Sequence, residues 1–381
     1  EDVMAIAQTG TIKGTVNEVT KTEKIGYHPK NDWVLNETLN PNAKPVGEDP
    51  ALQKEYSAAR TTKAYTYSWE GIPNQPLSPG DPSVDVGPNH VVQMVNGPSG
   101  SNIRIYGKTG TQIGSEVAFD NFMSMPGGGG DPIVLYDERA DRWLLSEFAA
   151  SGNVLHVAIS TTPNPGGTYY KYTYTTANFP DYPKYSIWND SYIVTTNENN
   201  ARIYALNRTA MLAGTANSAQ VFNMTNFGTI GFQAATPVSL NGTTLPPTGA
   251  PAMVMRMKDD AWDASITQDA LEIWNLTIDW ATPSNSSLAI NADLAMATPF
   301  DSGLCGYTSF SCIDQPGSSV NLDPLREVLM NRIHYRNFGT HESMVTCHVT
   351  DVDGNDHAAI RWYELRRTGG ASGTWSIYQE G

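Results

Sequence analysis

The chain has 381 residues and a formal net charge of −15, with 24 lysines and arginines against 39 aspartates and glutamates. A chain this acidic lacks the clustered positive charge that binding to a phosphate backbone requires, so nucleic acid is excluded as a partner. No apolar run approaches the roughly 18–20 residues that cross a bilayer, so the sequence predicts no transmembrane helix.

The first 75 residues are polar and show no regular spacing of apolar positions. The segment NPNAKPVGEDP (40–50) has the composition of a linker. We expect residues 1–75 to form an extended arm that lies on the main body, with a short helix near DPALQKEYSAAR (49–60). The first ten residues, EDVMAIAQTG, lack the basic and apolar regions of a signal peptide. The chain is therefore expected to be either a mature form or a protein that is not exported.

From residue 81 onward, short apolar segments rich in β-branched and aromatic residues follow one another, bounded by Gly, Asn, Asp and Pro. Examples are HVVQMVN (90–96), WLLSEFAA (143–150), SYIVTTN (191–197) and AMVMRMKD (252–259). This pattern predicts β-strands. Helical spacing is confined to RTAMLAG (208–214) and DPLREVLMNRI (323–333). The predicted fold class is all-β.

A repeat of 50 residues organises these strands. Asp, followed at once or after one residue by Pro, recurs at Asp81, Asp131 and Asp181, each time just before an apolar strand. Two looser units begin at ATPVSLNG (235–242) and EVLMNRIHYRNF (327–338), with an insertion at about 298–322 between them. Four strands per unit is the composition of a β-propeller blade.

We therefore predict a β-propeller of four-stranded blades over residues 76–381, with five blades visible and up to seven allowed. A blade covers its faces only against its neighbours, so the ring must close. The last predicted strand ends at Gly381. Either the N-terminal arm supplies a missing strand, or the chain is a C-terminally truncated fragment.

Five ordered motifs resemble those of a known group of proteins. They are VGPNHVVQMVN (86–96), GDPIVLYDERADRWLLSEF (130–148), DYPKYSIWNDSYIVTTN (181–197), CIDQPG (312–317) and YRNFGTHESMVTCHV (335–349). Together they resemble a widespread and largely uncharacterised family of secreted bacterial β-propeller proteins, which occur as modules of surface or extracellular proteins. The resemblance spans about residues 70–381 and implies export and a propeller, but no set of catalytic residues. In the family, the segment matching IYQEG (377–381) is usually followed by a further blade-like stretch.

The three cysteines favour an oxidising compartment. Cys305 and Cys312 lie in a loop rich in glycine and serine, where a disulfide is favoured over metal ligation because no second Cys/His pair stands at zinc spacing. Cys347 has the alternation of an interior strand residue and is expected to be a buried small apolar group. A disulfide favours an extracellular or cell-surface location.

The recurring aspartates are the first candidate site. Innermost strands of a propeller line its central channel, so Asp81, Asp131 and Asp181 should lie near one mouth, with Asp323 as a weaker fourth. The favoured interpretation is structural, because Asp caps backbone N–H groups and Pro suits the first position of a strand. The alternatives are oxygen ligands for Ca²⁺, or an acid and a base acting on a glycosidic bond.

Two further segments carry weaker candidates. Asp351, Asp353 and Asn355 in DVDGNDH resemble the first half of a calcium loop, although a tight hairpin turn is favoured because the acid expected at the end of such a loop is absent. The segment from His334 to His348 also contains His341 and Glu342, and histidine beside glutamate allows acid–base chemistry. The favoured interpretation of this second segment is again structural.

Tryptophan and tyrosine are abundant and could stack on sugar rings, but most lie within predicted strands and are expected to pack between blades. The leading functional hypothesis is an extracellular or cell-surface binding or adhesion module that recognises a polysaccharide or a surface protein. One alternative is a glycan-active hydrolase or lyase that uses Asp81, Asp131, Asp181 or Glu342. Another is a structural module that assembles with itself or in a larger surface complex. Ca²⁺ is the one cofactor considered.

Overall fold

A computed structural model of the chain describes residues 22–23, 40, 42–54, 66–73, 75, 77–198, 200–225, 234–296, 298–307, 309 and 311–381. Its strands form a β-propeller of four-stranded antiparallel blades, as the repeat predicts. Five blades are present in these residues. A short parallel pair, β1 (Thr22–Glu23) and β2 (Leu77–Ser78), precedes them.

The bounds of the blades follow the repeat units of the sequence. Blade 1 contains β3 (Ser83–Val86), β4 (His90–Gly97), β5 (Gly100–Gly107) and β6 (Gln112–Ala118). Blade 2 contains β7 (Gly128–Asp137), β8 (Arg142–Ala149), β9 (Val154–Ser160) and β10 (Tyr169–Thr175). Blade 3 contains β11 (Asp181–Ile187), β12 (Ser191–Asn197), β13 (Ala201–Asn207) and β14 (Gln220–Asn223).

The two looser units also form complete blades. Blade 4 contains β15 (Thr236–Leu240), β16 (Ala252–Lys258), β17 (Ala270–Thr277) and β18 (Ser287–Ala295). Blade 5 contains β19 (Ile333–Asn337), β20 (Glu342–Asp351), β21 (Ala358–Arg367) and β22 (Ser376–Glu380). Blade 5 therefore has four strands of its own, and its outermost strand is the one nearest Gly381.

The innermost strands β3, β7, β11, β15 and β19 surround the channel, and side chains on one strand bond the backbone of the next. Ser83 Oγ accepts a hydrogen bond from the N–H of Val134 at 2.9 Å. Strands β15 and β19 pair directly in parallel, with Val238 opposite Ile333. Arg332, next to β19, forms an ion pair with Asp85 in β3 at 2.9 Å, which links the last blade to the first.

Large aromatic side chains fill the spaces between blades, as expected from their positions within strands. Trp143 packs on Tyr136 with ring centroids 5.0 Å apart, and Trp188 meets Tyr335 edge-on at 5.1 Å. All four are buried. Such residues each bury about 150–250 Å², so they supply much of the energy that holds neighbouring blades together.

The described part of the N-terminal arm contacts two regions: residues 69–73 and 75 lie against blade 1, where Gln93 Oε1 accepts the N–H of Ile72 at 2.9 Å, and residues 40 and 42–54 lie against blades 4 and 5. Asn40 donates its backbone N–H to the carbonyl of Ala261, and Asp49 forms a buried ion pair with Arg361 at 2.6 Å. The helix expected near residues 49–60 is absent from residues 49–54, which form a turn and an irregular segment. Residues 55–60 lie outside the described residues.

Of the two helices predicted within the propeller, one is present and the other is not. A short helix forms at Arg208–Leu212, capped by Asn207, whose side chain accepts the N–H of Ala210. The helix predicted over 323–333 was wrong, because Leu325 and Glu327 have positive φ angles of 45° and 77° and the helical path is broken. A second short helix, Phe119–Met123, was not predicted.

Across the described ranges, no helix is both long enough and apolar enough to span a membrane.

Candidate functional site

The predicted aspartates act together on one phenol near the start of β11. The pKa of Tyr182 is raised first by burial and then by the negative charges of four carboxylates. These four are Asp131, Asp81, Asp181 and Asp323. Three of these side chains come from successive repeat units and the fourth from the segment before blade 5, and all four are near enough to Tyr182 for their charge to raise its pKa. We call these four aspartates together with Tyr182 the aspartate mouth.

The residues that begin the innermost strands share an unusual backbone conformation, which the local sequence sets. Asp81, Asp131 and Tyr182 each stand immediately before a proline, and their φ angles are 39°, 50° and 53°. Proline disfavours helical geometry in the residue before it, and a positive φ costs energy for any residue other than glycine. Such strain persists where the surrounding structure enforces it, often at functional sites. Blades 1, 2 and 3 each have one such residue, with positive φ, before a proline.

Asn96, at the end of β4, joins two of the acids. Its Nδ2 donates to Asp81 Oδ2 at 2.6 Å, and its Oδ1 accepts the backbone N–H of Asp131 at 2.9 Å. Asn96 is fully buried, so the bridge is held rigidly by the blade. It fixes the starts of the innermost strands of blades 1 and 2 relative to each other.

Apolar and cationic groups lie beside the aspartate mouth. Tyr182 packs against Ala234, Leu325 and Val328, which places an apolar wall beside the carboxylates. The Lys184 ammonium lies 3.6 Å from the centroid of the Tyr182 ring, and its charge offsets part of the negative charge nearby. Asn96, Tyr182 and Lys184 were not among the candidate residues predicted from the sequence. The recurrence of Pro after the aspartates was the signal for Tyr182.

Glu342 does not join this mouth. It lies buried inside blade 5, where Arg367 donates to both of its carboxylate oxygens and the Tyr335 hydroxyl donates to Oε1 at 2.5 Å. Strand alternation explains the placement, because β20 turns Glu342 toward the core. The geometry is that of a structural ion pair.

The histidines near Glu342 are also dispersed. His334 lies at the opposite end of the channel, and His341 is partly exposed and stacks on Phe338. His348 is buried, and its Nε2 is 2.8 Å from the Tyr363 hydroxyl. Burial lowers the pKa of His348 to about 4, so this ring is neutral at physiological pH. The structure brings none of the three to the aspartate mouth.

The DVDGNDH segment forms the hairpin between β20 and β21. The Asp351 carboxylate accepts backbone N–H groups from Asp353, Gly354 and Asp356 at 2.8–3.1 Å. Asp353 Oδ1 accepts the N–H of Asn355 at 3.0 Å. The oxygens that would face a cation therefore bond the backbone of the loop, which is the hairpin geometry that the sequence favoured.

Cys305 and Cys312 form a disulfide with Cα atoms 5.4 Å apart. The bridge lies in the insertion between blades 4 and 5. Cys347 is a free, half-buried thiol whose pKa is raised by burial.

One acidic cluster was not predicted. Asp259, Asp260 and Asp269 are buried, with carboxylate oxygens within 4.8 Å of one another. It is the one group of three potential ligands at this spacing that the described residues contain. The run of acids in KDDAWDASITQD (258–269) was the available signal.

Protein groups already occupy much of this cluster. Asp259 Oδ2 accepts hydrogen bonds from the backbone and hydroxyl of Ser302, and Asp269 accepts from the N–H groups of Asp260 and Phe300. Burial raises the pKa of Asp259 to about 6. Burial and the charge of Asp259 raise the pKa of Asp269 to about 8. The cluster anchors the insertion on blade 4.

No family model and no curated protein matches the sequence. Among solved structures, the chain is similar to a thermostable family-43 glycoside hydrolase, with 11% identity, a TM-score of 0.40 and coverage of 79% of this chain and 92% of that one. An α-L-arabinofuranosidase from Clostridium thermocellum has 14% identity, a TM-score of 0.35 and coverage of 79% and 93%.

A GH43 β-1,3-galactosidase has 10% identity and a TM-score of 0.34, with coverage of 78% of this chain. This chain spans 58% of the length of that galactosidase. Identities this low carry no information about substrate or reaction.

Proposed function

We propose that the aspartate mouth is the active site of a glycan-active hydrolase. The observation that carries the proposal is the convergence of Asp81, Asp131, Asp181 and Asp323 around Tyr182. Cleavage of a glycosidic bond needs two carboxyl groups on opposite sides of the bond, about 5–9.5 Å apart.

Asp81 is the group we assign as the base. The hydrogen bond that Asn96 donates to it favours the ionised carboxylate. Asp131 or Asp181 then acts as the acid. The acid protonates the glycosidic oxygen, and a water molecule attacks the anomeric carbon while Asp81 takes its proton. The carbon–oxygen bond breaks, two shorter chains leave, and one water is consumed.

The backbone geometry is the reason for preferring a hydrolase to the binding module that the sequence alone favoured. A sugar-binding surface needs aromatic platforms and partners for hydroxyl groups, but it does not need carboxylates on strained backbone. Asp81 and Asp131 occupy the left-handed region in successive blades. Strain of this kind costs of order 1–3 kcal/mol per residue, and its repetition at the same position of successive blades supports a functional role for these residues.

The Cys305–Cys312 disulfide supports an extracellular or surface location, because disulfides persist in oxidising compartments. This agrees with the proposal that the protein belongs with the secreted bacterial propellers that its motifs resemble. A polysaccharide met outside the cell is the substrate class that fits such a location.

The test is release of reducing ends from a panel of polysaccharides that includes arabinan, galactan and uronic-acid polymers. The expected result is new reducing ends with wild-type protein and their loss in Asp81→Asn and Asp181→Asn variants that fold normally. Measurements with and without EDTA test the expected role of Ca²⁺. Glycan binding without any product would overturn the hydrolase and support a binding module. Concentration-dependent oligomers with neither activity would support a structural module.

A further inference from the structure

A second polar cavity lies at the opposite end of the channel, where the innermost strands end. Its volume is about 150 Å³, and its lining includes Asp85, Glu138, Arg139, Asn241, Arg332 and His334. We call it the arginine pocket. A cavity of about this size accommodates a single six-membered ring. The proposed active site occupies the other mouth, so the arginine pocket is a separate site.

Most of the charges in the pocket are already paired. Arg332 is bound to Asp85 at 2.9 Å. Asp137 accepts two hydrogen bonds from Arg208, at 2.6 and 2.9 Å, and a third from the Tyr192 hydroxyl. Two charged side chains at the pocket are not part of these pairs, the cation of Arg139 and the exposed carboxylate of Glu138.

Arg139 has a donor group to spare. Its Nη2 donates to Asn189 Oδ1 at 2.9 Å. Its Nη1 has no hydrogen-bond partner in the described part of the chain and is enclosed by protein atoms, so a ligand in the cavity reaches it only when the side chain turns. A buried donor without a partner is costly, and guanidinium groups bind carboxylates strongly through paired N–H groups. Burial and the nearby charge of Arg208 lower the pKa of Arg139, so an anion beside it would relieve both effects.

Groups that can bond the hydroxyls of a sugar line the same cavity as Arg139. Glu138 offers carboxylate oxygens, and Asn241 lies on the facing strand end of blade 4. The pKa of His334 is lowered by burial and by Arg332, so its ring is neutral at pH 7 and can donate or accept. The pocket has room for one six-membered ring, one cationic donor for a carboxylate, and several groups that can bond hydroxyls. A ligand that matches all three features is a sugar that carries a carboxylate.

We propose that the arginine pocket binds a single uronic acid residue, with its carboxylate on Arg139 and its hydroxyl groups toward Glu138 and Asn241. This site does not depend on the hydrolase at the aspartate mouth. It would hold a free sugar acid or the end of a glycan on the face of the propeller opposite the proposed active site.

The test is isothermal titration calorimetry of the whole chain with D-glucuronate, D-galacturonate, D-glucose and acetate. At least one uronate is expected to bind at least about tenfold more tightly than glucose, because a hydrogen bond to a charged group is worth about that factor. Arg139→Gln should weaken uronate binding by a similar factor. Glu138→Gln, at an exposed position, should strengthen it several-fold by removing a like charge. Arg366→Gln, in blade 5 away from the pocket, is the matched control and should bind normally.

Several outcomes would overturn the proposal. Equal affinity for glucuronate and glucose would remove the role of the carboxylate, and equal affinity for acetate would remove the role of the sugar ring. Unchanged binding in both Arg139→Gln and Glu138→Gln, or no uronate binding at 10 mM, about ten-thousandfold above a micromolar Kd, would show that the pocket is not the site. Loss of uronate binding in Asp181→Asn alone would place it at the aspartate mouth.

Discussion

Asp85 in blade 1 and Arg332 beside the innermost strand of blade 5 form an ion pair at 2.9 Å across 247 residues of sequence. The same Asp85 oxygen accepts the backbone N–H of Tyr136 in blade 2 at 2.9 Å. One carboxylate therefore contacts both neighbours of blade 1. A propeller gains its stability from a closed ring, and the contacts of this carboxylate help to close the ring.

Replacing Asp85 with alanine should destabilise the whole ring. The change leaves the Arg332 guanidinium and the Tyr136 N–H without their partner, and such a loss costs about 2–3 kcal/mol. Urea unfolding measures it as a lower midpoint. Lys54→Ala is the control, because Lys54 pairs with Glu48 on the surface with side chains 62% and 54% exposed, where ion pairs contribute little. If Asp85→Ala unfolds at the wild-type midpoint, ring closure does not depend on this pair.

Amide substitutions at the aspartate mouth should abolish turnover without unfolding the protein. Asp81→Asn, Asp131→Asn and Asp181→Asn each remove a group that can move a proton, and such groups contribute about 10²–10⁴-fold to rate. On the substrate found in the polysaccharide panel, kcat should fall by about 100-fold or more, with melting temperatures near that of the wild type. Asp323→Asn should have a smaller effect, because Asp323 is exposed.

Asp353→Asn is the matched control for these variants. Asp353 lies in the β20–β21 hairpin, and its carboxylate bonds the N–H of Asn355. An equal loss of activity in Asp353→Asn would mean that the mouth variants act through general destabilisation and not through chemistry.

The sequence was sufficient to predict the blades because each blade is a local unit. Hydrophobic alternation and the prolines at strand starts repeat every 50 residues, so the bounds of β3, β7 and β11 could be placed from pattern alone. Radial packing was the basis for expecting Asp81, Asp131 and Asp181 near one mouth of the channel. These features depend on neighbours within one repeat or at the same position in the next.

The remaining features depend on contacts that no local pattern contains. Arg332 meets Asp85 only because the ring closes, and the arginine pocket is assembled from the ends of four innermost strands together with residues around the start of β19. Glu342 was adjacent to histidines in sequence, but strand alternation sends it into the core of blade 5. The false helix over 323–333 had correct apolar spacing, but Leu325 and Glu327 occupy positive φ. Tertiary packing overrode periodicity there.

Removing the Cys305–Cys312 disulfide should destabilise the insertion between blades 4 and 5. The bridge closes a loop with a sequence separation of 7, and a loop of this length contributes about 2–3 kcal/mol in the chain-entropy model. A Cys305→Ser, Cys312→Ser double variant should melt at a lower temperature than the wild type. Cys347→Ser, which removes the free thiol, is the control. Equal melting of the wild type and the double variant would show that the stability of the insertion does not depend on the disulfide.

The Asp269 carboxyl should make the protein less stable as the pH rises toward 8. Its pKa is raised from 3.8 to about 8 by burial and then by the charge of Asp259. Between these values the folded chain holds a proton that the unfolded chain has lost, so the free energy of unfolding falls as pH increases. The contribution is complete below pH 3.8 and is lost as the pH passes through 8.

His348 makes the free energy of unfolding rise with pH, and it does so over a lower pH range than Asp269. Its pKa is lowered from 6.5 to about 4 by burial, so its contribution to stability rises up to pH 6.5 and is constant above it. The clean window for Asp269 is therefore about pH 6.5–8.5. Across that window the wild type should lose about 1–2 kcal/mol of unfolding free energy through this group.

Asp269→Asn cannot ionise, so its unfolding free energy should change less over the same window. Asp263→Asn is the matched control, because Asp263 lies in the same loop and its pKa is lowered by hydrogen bonds from Ser265, so it is ionised throughout this window. Chemical denaturation of the three proteins at pH 6.5, 7.5 and 8.5 gives the slopes directly. Parallel slopes for the wild type and Asp269→Asn would mean that Asp269 is already ionised at pH 6.5 and that the buried cluster does not hold a proton.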